Sequence, residues 1–242
     1  MTVSVVYTCV ARGYDRVAPV RPEWSCRFVM FHDGTVEVPA GWEGRKLMVD
    51  GVHGIHLNRY AKMLPHRLKL ETSQSLYVDG NIVLNRDPGP KITSLLSKSA
   101  FAAYAHPSRD CAYDELREAL RLGFIWPLGA WHHARLFRRT GLPRRAGLIE
   151  ANVLFRRHND PAIERLGEAW WRLWQEGLGR DQPLLAAALQ SQGMTAHIAG
   201  KNIRADPDGV LSVVQHARLR TRAERLPRRL AAELMLFRKW LP

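Results

Sequence analysis

Compact runs of apolar and β-branched residues alternate along the chain with stretches of helical spacing, and this alternation limits the folds open to it. VSVVYTCVA (3–11) and CRFVMFHD (26–33) read as buried strands that end in polar or glycine-bearing residues, and RKLMVDG (45–51) reads as a third. From His56 to Leu70 the spacing is helical, with Leu57, Tyr60, Ala61 and Leu64 on one face and a break near Pro65. SLYVDGNIVL (75–84) follows as a strand, then a helical stretch through LLSKS, the strand AFAAYAH (100–106) and the helix DELREALRLG (114–123), closed by Gly123. GLIEANVLFRRH (147–158) is a further strand. NDPAIERLGEAWWRLWQEG is a helix with Asp160 as N-cap and Pro161 at its first position, and another helix runs from Asp181 to Gly193. Short strands at 195–203 and 210–216 complete the pattern. The expectation is an α/β fold with a mixed, mostly parallel sheet flanked by helices, whose ligands lie outside the carboxyl ends of the strands.

Of the 242 residues 46% are hydrophobic, enough to bury a substantial core. The three cysteines, Cys9, Cys26 and Cys111, are odd in number and unpaired by any CxxC spacing. That favours reduced thiols in a cytoplasmic protein over disulfides or a cysteine zinc site. The N-terminal apolar run has no basic lead-in, and no stretch approaches the roughly 20 apolar residues that span a bilayer.

A net charge of +13 calls for anionic company: nucleotides, nucleic acid, polysaccharide or a lipid surface. The charge is uneven, since eight Arg or Lys face only Glu224 and Glu233 between Arg218 and Pro242. One domain over 1–217 with a basic helical extension over 218–242 is the expected organisation. In that extension Leu230, Leu234, Phe237 and Leu241 recur at near-helical spacing beneath the arginines. The pattern fits peripheral contact with the inner face of an anionic membrane, and equally a terminal helix packed on the domain.

The residues with chemical potential gather at strand ends. Asp79 and Asn81 flank a glycine in SLYVDGNIVL, and in an extended backbone their oxygens would point to one side. Such a pair suits a divalent ion that also binds phosphates, although Asp-Gly and Gly-Asn are hairpin dipeptides too. Arg59 and Lys62 share a helical face just before this strand and suit a diphosphate, with His66 in the same segment as a further donor-binding candidate. Asp33 is placed to accept from a ribose or a base. His106 and Arg109 follow another strand end and suit an anionic or acceptor group. Glu150 and Asp181 are the carboxylates able to take or orient a hydroxyl proton, Asp181 being equally well placed as an N-cap. His216 is a candidate third metal ligand, with His197 competing for that role.

The ordered set YTCVARGYD, RYAKMLPHR, YVDGN, HPSRDCAYDE, GLIEANVLFRRHN, AWWRLW and GRDQ resembles a glycosyltransferase-like family first catalogued as a domain of unknown function, whose plant members are linked to cell-wall mucilage and turgor regulation. The resemblance runs from about Val3 to Gly193. It implies a GT-A-like fold, a nucleotide-sugar donor such as a UDP-sugar, and Mn2+ or Mg2+ held by a DxD-type motif. Asp79 and Asn81 stand at the DxD position, and Asp181 and Gln182 on the acceptor side. The departure is Asn81, where the motif has a second acid.

Three functions fit. The first is a glycosyltransferase that moves a sugar from a nucleotide-diphosphate donor to a hydroxyl of a glycan or lipid-linked acceptor, in polysaccharide or glycoconjugate assembly. The second is a catalytically silent sugar- or nucleotide-binding relative. The third, a basic nucleic-acid-binding module, has the charge but no recognition motif behind it.

Overall fold

The computed structural model describes residues 3–177, 179–217 and 222–237. The chain divides into two compact units, one formed by 1–105, 152–167 and 196–218, the other by 106–151, 168–195 and 219–242.

The first unit is built on a seven-stranded sheet. Its strands are β1 (Val5–Val10), β2 (Arg27–His32), β3 (Glu43–Lys46), β4 (Gln74–Val78), β6 (Phe101–Ala105), β7 (Ile149–Arg157) and β8 (His197–Gly200), in the order β3-β2-β1-β4-β7-β6-β8. β3, β2, β1 and β4 run parallel, with Val5 opposite both Arg27 and Ser75, and β6 and β8 are parallel to each other. β7 is antiparallel to β4, with Tyr77 opposite Leu154. The sheet is therefore mixed and mostly parallel, as the alternation predicts.

Helices cover it on both faces, which is why the central strands read as mainly apolar runs rather than as alternating ones. Val6, Phe28, Leu76 and Phe155 pack in one core with Ile92, Leu95 and Leu96 of helix α2 (Gly89–Lys98). Tyr7 and Tyr77 face the other way with ring centroids 5.4 Å apart, and there Asn58 and Lys62 of helix α1 (Ile55–Met63) meet Tyr77. α1 stops before Pro65, and a short 3-10 turn takes over at Pro65–Arg67.

SLYVDGNIVL is not one strand. β4 ends at Val78, the Ile82 N–H donates to the Asp79 carbonyl at 3.0 Å, and β5 (Ile82–Leu84) leaves the main sheet to pair antiparallel with β9 (Leu211–Val213). The hairpin-type dipeptides do make a turn, and Asp79 stands at its first position. A buried network holds the β9 region in place: the Asp206 carboxylate accepts from Lys91, from the Tyr104 hydroxyl at 2.7 Å, and from the Val210 and Leu211 amides.

The second unit is helical, containing α3 (Ala112–Arg121), α4 (Pro127–Arg139), α6 (Gln182–Ser191) and α7 (Arg222–Phe237), together with most of α5 (Pro161–Gly177). The N-terminus of α5 is as predicted, with the Ala162 amide donating to Asp160 Oδ1 at 2.8 Å. Sequence patterning assigns no element to residues 124–146, yet α4 fills much of that stretch. Its buried residues are Gly129, Ala130, His133, Ala134, Leu136 and Phe137, whereas Leu128 and Trp131 face outward. Large apolar residues on both sides blur the single stripe that an apolar-face search looks for. The flanks of the expected basic helix, 218–221 and 238–242, lie outside the described residues, as do the side chains of Leu234, Phe237 and Leu241.

Candidate active site

The carboxyl ends of β1, β2 and β4 converge with α1 and the segment after β9, the location a parallel sheet provides for ligands. At the centre is Asp79. Its amide donates to the Asn152 carbonyl at 2.8 Å, so the ladder with β7 persists one residue beyond the strand. Its Oδ1 accepts from the Tyr77 hydroxyl at 2.6 Å and faces Lys62 Nζ at 3.4 Å. The Lys62 side chain is only 2% exposed, while that of Asp79 is 21% exposed, so the carboxylate looks outward from a buried cation. Burial raises the Tyr77 pKa well above its ordinary value, and the Asp79 charge and hydrogen bond push it the same way, so Tyr77 stays a proton donor to Asp79.

α1 is pinned against this strand end by Asn58, whose amide donates to the Cys9 carbonyl at 2.7 Å and to the Tyr77 hydroxyl at 3.0 Å. Arg59 donates in turn to the Asn58 side-chain oxygen. Arg59 and Lys62, two of the sequence candidates, are thus brought to Asp79 through one continuous set of contacts.

Gly80 is required by close approach. A Cβ there would lie 2.8 Å from both Asp15 Cβ and Val10 Cγ2. That contact brings in Asp15, which sequence reasoning missed. Asp15 Oδ1 and Oδ2 each lie 3.0 Å from His216 Nδ1, and the Ala217 amide donates to Oδ1 at 3.3 Å. The hydrogen bond to Asp15 raises the His216 pKa against the opposing effect of burial, and the charges of Asp15 and Asp79 add to the rise. Asn81, 7% exposed, donates its amide N–H to the Val214 carbonyl at 2.9 Å, while its Oδ1 is buried with no hydrogen-bond partner. Asp15, Arg16, Asn81, Val214, Gln215 and Ala217 line a recess of about 430 Å3.

Asp33 closes the end of β2. Its Oδ1 accepts from the Thr35 amide and hydroxyl at 3.0 and 2.6 Å, and its Oδ2 accepts from the Arg12 amide at 2.9 Å. Burial works to raise its pKa, but the bonds from Thr35 and Arg12 outweigh it and hold the carboxyl below its ordinary value. His66 sits elsewhere, with its Cε1 3.7 Å from where a Cβ on Gly167 would lie and its charge acting on His158. His197 begins β8, the edge strand, opposite Ala102.

The other candidates belong to the second unit. His106 Nδ1 accepts from the Ser108 and Arg109 amides at 3.3 and 3.0 Å, a local arrangement that leads the chain into α3. The buried Glu115, a second residue missed from sequence, has Arg109 at 2.7 Å, Arg180 at 3.5 Å and His106 at 3.6 Å from its carboxylate. Glu150 is buried near the start of β7.

Asp181 occupies the N-cap position of α6 but its side chain makes no capping bond, and Gln182 is the first residue of the helix. Three ring nitrogens hold the preceding loop by successive carbonyls. Trp174 Nε1 donates to the Gly179 carbonyl at 3.3 Å, His133 Nε2 lies 2.9 Å from that of Arg180, and Trp170 Nε1 donates to that of Asp181 at 2.9 Å. The AWWRLW motif therefore fixes the backbone of GRDQ.

Among the described residues no three His, Cys, Asp or Glu side chains form a ready-made metal site. The donor set at the turn nonetheless fits a hard divalent ion that brings other oxygens with it. Asp79 supplies a carboxylate, and the buried amide oxygen of Asn81 lacks a partner. Among the described residues no helix is long and apolar enough to cross a membrane.

No protein-family profile matches the sequence, and neither does any curated protein. Similar solved structures include the galactosyltransferase LgtC in complex with donor and acceptor sugar analogs, at 9% identity over 96% of this chain and 94% of that one, with a TM-score of 0.49. The apo bifunctional glycosyltransferase WbbM aligns at 10% identity and TM-score 0.48 over 96% of this chain, which spans only 44% of the WbbM chain. Apo mouse xyloside xylosyltransferase 1 aligns at 7% identity and TM-score 0.43, over 81% of this chain and 84% of that one.

Proposed function

We propose that the protein is a glycosyltransferase that moves a sugar from a nucleotide-diphosphate donor to a hydroxyl acceptor. One observation carries the reading: Asp79 leaves the end of a parallel strand between a buried lysine and an exposed face, with the partnerless oxygen of Asn81 two residues on. A carboxylate so placed needs cationic company, and a diphosphate with a divalent ion supplies it together with the leaving group.

In this reading Asp79 and Asn81 hold Mn2+ or Mg2+, with His216 as a further ligand through its second ring nitrogen. The bound ion would neutralise the diphosphate and ease its departure. Arg59 and Lys62 share that negative charge, and Asp33 accepts from the ribose or base of a UDP-sugar. His66, held beside Gly167 and His158, falls outside this donor-binding set. Asp181 and Glu150 are the acceptor-side carboxylates that take or orient the hydroxyl proton, and His106, Arg109 and Gln182 bind the acceptor, a glycan or lipid-linked saccharide. The domain over 1–217 carries this chemistry, and the basic helix over 218–242 contacts a membrane surface from the cytoplasmic side.

A thermal-shift panel of nucleotide diphosphates and nucleotide sugars, with and without Mn2+, tests the reading. Ligand at a hundredfold its Kd stabilises by about 2.7 kcal/mol, a readable rise in melting temperature. One nucleotide class should stabilise the protein, and more strongly with metal. No shift across the panel contradicts the proposal. Binding without release of nucleotide diphosphate would assign the chain instead to sugar-nucleotide binders, a reading that Asn81 in place of an acid favours.

A further inference from the structure

Helix α4 buries Leu136 and Phe137 but leaves a second set of large apolar residues, with its neighbours, outside. Leu128 is 62% exposed, Trp126 49%, Trp131 37% and the neighbouring Phe124 37%. The exposed face continues through Arg135 and Arg138, so Leu128, Trp131, Arg135 and Arg138 form one stripe, apolar at its start and basic at its end. From Phe124 to Ala146 there are five arginines and no acidic residue. Guanidinium groups cover the rings: Arg135 lies 5.8 Å from the Trp131 centroid, Arg228 of α7 5.2 Å from Trp126, and Arg180 5.5 Å from Phe124. α7 packs beside α3 and α4 and adds Leu226 and Leu230, 53% and 54% exposed.

Exposed tryptophan and leucine are costly in water, and so clustered a group marks a surface with a partner. The chemistry of that partner follows from the surroundings. Tryptophan suits the headgroup boundary of a bilayer, where its ring is buried and its N–H stays wet. Arg139 is answered by Glu176 at 2.6 Å, but the outward pair Arg135 and Arg138 suits lipid phosphates, and a protein partner would have to bring an acidic surface to match them.

We propose that the Trp126–Leu128–Trp131 shoulder of α4 docks on an anionic lipid bilayer. The three side chains enter the acyl boundary while Arg135 and Arg138 meet headgroup phosphates. This contact adjoins that proposed for the C-terminal helix, adds the α4 residues to it, and does not depend on the glycosyltransferase reading.

Sedimentation of the full chain with phosphatidylcholine vesicles, with and without phosphatidylglycerol, tests it. The wild type should bind the anionic vesicles, and added salt should weaken binding. L128S/W131S should bind about tenfold or more weakly, since burying even one large apolar side chain is worth ~1.5–3 kcal/mol. R135E/R138E should lose about tenfold as well, at about 1 kcal/mol per basic residue near the surface. Brominated lipids should quench wild-type tryptophan fluorescence more than that of L128S/W131S. Circular dichroism melts establish that each variant is folded, and if the apolar variant is not, R135E/R138E decides alone. Unchanged binding in folded variants overturns the proposal, as does equal binding to neutral vesicles. So does a wild-type dimer that L128S/W131S converts to monomer, which would make the shoulder a self-interface.

Discussion

Asn81 donates its amide N–H to the Val214 carbonyl at 2.9 Å while its own amide oxygen stays buried without a partner. The two ends of the side chain have different tasks, one tying the segment after β9 to the turn, the other available to a cation. An aspartate could supply the second but not the first, because a carboxylate oxygen facing a carbonyl has no proton to give. Asn81→Asp should therefore lower stability by about 1 kcal/mol in metal-free buffer, the net worth of the lost hydrogen bond, with part of the loss recovered on adding Mn2+. Urea titrations of both proteins with and without Mn2+ measure it. An aspartate variant as stable as wild type without metal would show that the Val214 bond has no structural role.

Gly80 admits no side chain, since a Cβ would press on Asp15 Cβ and Val10 Cγ2 at 2.8 Å. Gly80→Ala should cost about 1–3 kcal/mol by overpacking and displace Asp15 from His216. A drop in the denaturation midpoint, together with a fall of the His216 pKa toward about 6.5 by NMR titration, is the expected pair of results. A stable variant with an unshifted His216 would contradict the close packing.

The GRDQ loop should depend on tryptophan N–H groups rather than on tryptophan bulk. Trp170→Phe keeps most of the ring and removes the donor to the Asp181 carbonyl, which still accepts from the Leu185 amide at 3.1 Å. The stability cost should stay near 1 kcal/mol, the worth of one hydrogen bond. Turnover should fall by at least about tenfold, as expected when a reacting group loses its orientation. Equal losses in stability and none in turnover would remove Asp181 from the acceptor side.

His158 is buried beside Ser75, with Nδ1 3.2 Å from the hydroxyl, and burial lowers its pKa to about 4, helped by the charges of Arg156 and His66. In the unfolded chain the value is about 6.5, so between these two pH values the unfolded state binds the extra proton. The stability this neutral histidine contributes is whole above about pH 6.5 and is lost as pH falls toward 4. The melting temperature of wild type minus that of His158→Gln should be highest at neutral pH and fall on the acid side. A wild type that gains on the variant as pH falls would reverse the sign and refute the assignment.

How far the sequence could be read depended on where each residue finds its partner. The central strands were legible because both faces of the sheet are covered, leaving mainly apolar, fully buried runs such as Val5–Val10, in which Thr8 is the one small polar residue. The turn in SLYVDGNIVL was visible as a dipeptide signal but not separable from an extended strand, because what bends it away is pairing with β9, far along the chain. Asp15 was invisible for the same reason, its histidine partner lying 201 residues later. Glu115 reads as an ordinary first-turn helix acid until Arg109 and Arg180 are seen to share it. α4 escaped because Leu136 and Phe137 are buried with small residues and His133 while Leu128 and Trp131 face outward, so no single apolar stripe marks it.

The central claim is that Asp79 anchors a nucleotide-diphosphate donor, and calorimetric titration of wild type and Asp79→Ala with UDP and UDP-sugars in Mn2+ tests it most directly. Asp79 is partly exposed and its strand is held by backbone bonds, so the variant should fold. The account predicts metal-dependent binding in the wild type and a loss of about a hundredfold or more in the variant, the scale of a charge-assisted ligand removed. Equal affinity in the two proteins, with or without metal, would contradict it.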